Sequence, residues 1–110
     1  MIEQRDQSIK ADAGKARLSL VPSELIYAVA RIRMYGNAKY PEGGKDNWKN
    51  VEIDRYIDAA FRHLLAFKDD IHSVDEESGL LHLWHCACNI AFLCALEKAG
   101  QAERTTNENV

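Results

Sequence analysis

The chain reads as all-α, and three observations lead there. Residues 80–96 contain no Asp, Glu, Lys or Arg, the pattern of a helix that is apolar on every side. Two other segments repeat apolar residues at helical spacing, Leu25, Ile26, Val29 and Ile32 in one and Tyr56, Ile57, Ala60, Phe61, Leu64, Leu65 and Phe67 in the other. Residues 17–21 alternate briefly but have no partner run, so no strand is expected. With 110 residues there is room for one domain. The expected architecture is a small bundle of three main helices with a long loop between the first two, completed by oligomerisation.

The elements follow in order. Residues 1–9 are polar and expected to be flexible, and residues 10–100 are expected to form one helical domain. Within it, residues 10–17 gather Lys10, Lys15 and Arg17 around Gly14, a composition suited to close backbone approach to a phosphate. The first helix is expected to begin near Pro22 and Ser23 and to be capped by Gly36. Residues 37–50 then form a linker that keeps Tyr40 and Trp48 among Lys39, Lys45 and Lys49; loops this long in a compact domain tend to be functional or disordered. Asp54 is placed to cap the second helix, which frays near Asp69 and Asp70. The third opens near Ser78 and Gly79 after Asp75, Glu76 and Glu77, whose charge favours a helix N-terminus, and closes at Gly100. Residues 101–110 read as a disordered tail.

Composition narrows the function. A net charge of −3 and a pI near 5.8 argue against binding a nucleic acid polymer, which relies on a basic face. A polar N-terminus gives no sign of a signal peptide. The run at 80–96 falls short of the roughly 20 residues of a membrane span and holds two His and an Asn. Cys86, Cys88 and Cys94 are expected as free thiols in a reducing cytoplasm.

Candidate chemistry concentrates on the apolar helix. At about 100° per residue His82, His85 and Asn89 fall within an arc of about 60°, one polar stripe on an otherwise apolar rod. Such groups need hydrogen-bond partners or cost roughly 1–3 kcal/mol each. A satisfied packing seam, a ligand pocket and a metal site all meet that need. Two histidines are too few for a metal, but His63 and Asp58 on the second helix could complete a His3Asp set. Arg55, Asp58 and Arg62 read as a solvated row, with Arg62 alternatively holding a phosphate in a fork. Tyr40 and Trp48 either close the loop over the helices or stack on a base.

Read together, the motifs Lys10-x-Asp12-x-Gly14-Lys15-x-Arg17, Leu20-Val21-Pro22, Tyr35-Gly36-x-x-Lys39-Tyr40, Asn47-Trp48, Arg62-His63-Leu64, Glu77-Ser78-Gly79 and His82-Leu83-x-His85-x-x-x-Asn89 resemble the phage-type dATP/dGTP diphosphohydrolase (N-terminal domain) family, a relative of the all-α MazG-like nucleotide pyrophosphohydrolases. The resemblance covers roughly residues 10–98. It implies a helical, oligomeric phage protein that acts on purine nucleotides. MazG-like enzymes release pyrophosphate from nucleoside triphosphates with magnesium held by Glu-x-x-Glu and Glu-x-x-Asp motifs. This chain lacks those carboxylates, and neutral imidazoles are poor magnesium ligands.

Two functional readings follow. In the first the chain is a metal-dependent pyrophosphohydrolase of dATP/dGTP-like substrates. Asp58, His63, His82 and His85 then form the catalytic and metal cluster, with magnesium or manganese as the ion, or zinc or another transition metal if the imidazoles ligate it. The nucleotide-binding set is Lys10, Lys15, Arg17, Lys39, Tyr40, Asn47, Trp48, Arg62 and Asn89. In the second the same pocket is a sponge, without a cofactor, that sequesters a nucleotide-derived immune messenger. A helical interaction module is a third outcome. Two amphipathic helices cannot cover a third that is apolar all round, so a homodimer or homotetramer is expected.

Overall fold

A computed structural model describes residues 11–39 and 44–108. Lys10 and Tyr40, both candidates from the sequence, lie outside the described residues. The order is η1 (Leu18–Leu20), α1 (Ser23–Lys39), η2 (Gly44–Asn50), α2 (Ile53–Asp69) and α3 (His82–Glu108), where η marks a short 3-10 helix. The all-α expectation holds: among the described residues no strand forms, and a single antiparallel bridge from Val74 to Leu81 ties the α2–α3 connection.

Element boundaries differ from those expected at Gly36, Asp54 and Gly100. Gly36 does not cap α1, which runs on to Lys39. A glycine that ends a helix takes a positive φ, and among the described residues only Gly14 and Gly79 do so. Gly100 likewise leaves α3 unbroken, and the helix continues to Glu108. The N-cap of α2 is Glu52, with no side-chain bond; Asp54 stands inside the first turn, where its charge still faces the helix N-terminus.

Ser78 and Gly79 build a turn ahead of α3 instead of opening it. Asp75 Oδ1 accepts from the Ser78 amide at 2.8 Å, and the Gly79 amide donates to Asp75 O at 2.7 Å. Gly79 has φ of 72°, a conformation that disfavours any residue with a Cβ. The turn fixes Asp75 and Ser78 just before His82, the first residue of α3.

Helix α3 packs against both α1 and α2, and η2 touches it as well. Ala28 and Ile32 of α1, Tyr56 and Ala60 of α2, and Cys86 and Cys88 of α3 form the buried apolar centre. This chain alone does not enclose α3, because Leu83 and Ile90 remain 40% and 48% exposed. Among the described residues no helix is long and apolar enough to cross a membrane.

Candidate functional site

Three imidazoles meet where α2 and α3 cross. His63 comes from the α3-facing side of α2, and His82 and His85 from one turn of α3. The Nδ1 atoms of His63 and His82 lie 2.8 Å apart, so one ring donates its proton to the other. The His63 ring stacks on His85 with centroids 4.6 Å apart and planes at 14°. Burial, then the neighbouring His85 and His82, pull the His63 pKa down to about 4, and burial also lowers that of His85. Both rings are therefore neutral near pH 7.

The turn before α3 supplies the polar partners. His85 Nε2 and Ser78 Oγ are 2.6 Å apart. Because that oxygen accepts from the Leu80 amide at 3.1 Å, its own hydrogen is available to Nε2, which favours a proton on Nδ1 of the ring. Burial pushes the Asp75 carboxyl up, but the Ser78 amide and the adjacent His85 outweigh it and hold the group below its ordinary value. Asp75 stays ionised beside neutral rings. One donor atom each from His63, Asp75 and His82 all lie within 4.8 Å of one another. Two imidazole nitrogens and a carboxylate suit a transition ion better than magnesium, which prefers an oxygen octahedron.

Beside this cluster a cavity of about 440 Å³ opens between α1, η2, α2 and α3, a size in the range of small-molecule sites. Tyr35, Trp48, Tyr56 and Phe92 give it aromatic walls, Arg33 and Arg55 bring positive charge, and Asn37, Asn47 and Asn89 bring amides. His85 lines the cavity as well as packing on His63, so the two features share a side chain.

The wall is held from several directions. Trp48 stacks on Phe92 with centroids 4.7 Å apart and planes at 15°, and Tyr56 tilts onto the same ring at 5.0 Å. Tyr56 Oη donates to Trp48 O at 2.5 Å. Arg33 sits over Phe92 at 5.3 Å and donates to the Lys45 carbonyl. Trp48 thus clamps η2 to α3, one of the two roles expected for it, while still facing the cavity. Lys39 pairs with Glu77, and Tyr35 stands edge-on to His85.

The structure brings together only part of the set drawn from the sequence. His63, His82 and His85 converge, and Asn47, Trp48 and Asn89 reach the cavity, with Asn89 also donating to the His85 carbonyl at 2.8 Å. Asp58 is exposed on α2 and outside the group of three donors; Asp75 is the carboxylate beside the rings. Lys15, Arg17 and Arg62 are exposed and do not line the cavity. Missed by sequence reasoning were Arg33, Tyr35, Asn37, Arg55 and Phe92 in the cavity, and Asp75 and Ser78 at the rings. Arg55, expected on a solvated face, lies opposite the centre of the apolar arc of α2, so nothing in the helical pattern flagged it.

The family model described as dATP/dGTP diphosphohydrolase, N-terminal, matches residues 5–106. The chain belongs to this family. A protein of Salmonella phage PMBT28 named dATP/dGTP diphosphohydrolase is 41% identical over 86 residues, which cover 77% of this chain and 28% of the phage protein. The chain therefore spans less than a third of the length of that relative. No solved structure matches this member of the diphosphohydrolase N-terminal family.

Proposed function

We propose that the chain binds a purine deoxynucleoside triphosphate in the cavity and takes part in its hydrolysis to the monophosphate and pyrophosphate. One observation carries the reading: His85 belongs both to a cavity with aromatic and guanidinium walls and to the imidazole cluster. The base lies against the aromatic wall of Tyr35 and Trp48, where flat apolar contact suits a purine. Arg55 meets the phosphates; among the described residues its guanidinium has no hydrogen bond or ion pair to surrender. Asn89 keeps its carbonyl oxygen for the ligand, since its amide nitrogen is engaged. Water attacks the α-phosphorus, the α–β bridging bond breaks, and pyrophosphate leaves. A divalent cation supplies charge neutralisation on the phosphates in this reaction class. The family name and that of the phage relative support the substrate class.

The test is incubation with dATP or dGTP and magnesium, manganese or zinc, with products resolved by ion-pair chromatography. Equimolar monophosphate and pyrophosphate are expected. Intact nucleotide recovered from a heat-denatured complex would replace catalysis with sequestration, and absence of binding would overturn the reading entirely.

We propose also that a second copy of the chain covers the outer face of α2. Ile53, Phe61, Leu64 and Leu65 are exposed by 48, 60, 45 and 58% and share an arc of about 120° on that helix. A two-fold pairing buries the same patch from both partners. Light scattering after gel filtration reads the mass: the parent is expected at twice the chain mass or a multiple of that, and Phe61→Glu at the monomer mass. A monomeric parent contradicts the pairing.

A further inference from the structure

We infer that His63, Asp75 and His82 form a site for one first-row transition-metal ion, with zinc bound well ahead of magnesium. The inference concerns metal alone and holds whether or not the cavity takes a nucleotide.

Geometry carries it. The three donors come from separate elements, α2, the turn before α3 and the start of α3, yet their ligand atoms all lie within 4.8 Å of one another. Donors bonded to one ion at about 2.1 Å stand roughly 3–4 Å apart, so small ring rotations and a slight contraction bring all three onto one point. The 2.8 Å between the two Nδ1 atoms is a hydrogen-bond separation, about half an ångström short of the spacing of two nitrogens on zinc. A shared proton holds that place, and an ion displaces it.

The surroundings orient the donors as metal sites require. Asp75 is held by the Ser78 amide, and His63 is backed by the stacked His85 ring. A self-sufficient histidine pair would need no carboxylate delivered from the preceding turn. Three protein ligands leave a coordination position for water or an oxyanion, as in zinc sites that exchange a ligand.

The full chain, stripped of metal with a chelator and freed of it by gel filtration, is titrated with zinc alone by calorimetry and with cobalt(II) alone by visible absorption. One zinc per chain is expected, with magnesium giving no measurable heat. Cobalt should show d–d bands without sulfur-to-metal charge transfer. His63→Gln and His82→Gln should each weaken zinc by at least about 100-fold, whereas Asp58→Asn leaves affinity unchanged. Asp75→Asn should follow the histidine variants; because Asp75 also holds the turn, circular dichroism checks its fold and the Gln variants decide if it unfolds. No zinc uptake, a thiolate band, or full affinity in His82→Gln overturns the inference. Metal-free dATP binding is measured in parallel, so loss of the zinc site and loss of the nucleotide reading are told apart.

Discussion

Replacing Arg55 by Ala isolates the electrostatic part of nucleotide binding. Arg55 lines the cavity from the first turn of α2, and among the described residues its guanidinium has no hydrogen bond or ion pair, so loss of the side chain should leave the fold intact. A charge-assisted hydrogen bond contributes about 1.5–3 kcal/mol. Arg55 is exposed, and solvent screening places the effect toward the lower end, about 1.4–2 kcal/mol, or about 10- to 30-fold in Kd. Calorimetric titration with a non-hydrolysable dATP analogue measures it, with dAMP as the comparison ligand. The loss should shrink for dAMP and diminish with added salt. Arg62→Ala, two turns along α2 and off the cavity, should change Kd less than about twofold. Equal losses at the two positions, or none at Arg55, would refute the phosphate assignment.

Other outcomes follow from the same contacts. Trp48→Ala removes the Phe92 stack and the clamp on η2; the aromatic pair and a half-buried indole together are worth about 2 kcal/mol, read by urea denaturation. Gly36→Ala should stabilise by about 0.5–1 kcal/mol because it fills a mid-helix position with open space around it, whereas Gly79→Ala should cost about 1–2 kcal/mol at its positive φ. The metal-free protein should lose stability as the pH falls. The lowered pKa of His63 means the unfolded chain binds its proton first, so the contribution is fully present above the ordinary value of 6.5 and is lost as pH drops toward about 4. Allowing for solvent screening, roughly 1–2 kcal/mol is at stake. His63→Gln should flatten that part of the pH profile in thermal melts.

The fold was legible because apolar periodicity reports helices directly. The sequence located all three main helices, and the stripe on α3 did prove to be where side chains converge. Local signals misled where one residue type serves two roles. Gly36 and Gly100 read as stops, yet a glycine can sit inside a helix at a cost of about 1 kcal/mol relative to Ala. Asp75 read as a charge favouring a helix terminus, but the positive φ of Gly79 folds the turn so that its carboxylate reaches the imidazoles. That approach is tertiary, and no spacing along the chain encodes it. Arg33 and Phe92 went unnoticed for the same reason, since a cation over an aromatic ring is visible only once α1 lies on α3. Residues 37–50 read as one long linker, although 37–39 extend α1 and 44–50 wind into η2 under Trp48.

Occupancy of the cavity by nucleotide is tested most directly by the two indoles. Trp48 lines the cavity, whereas Trp84 packs edge-on against Tyr27 away from it. In nitrogen-15 spectra titrated with a non-hydrolysable dATP analogue, the Trp48 indole resonance should move to saturation and that of Trp84 should stay in place. Movement of Trp84 alone, or of neither, would contradict a nucleotide seated between η2 and α3.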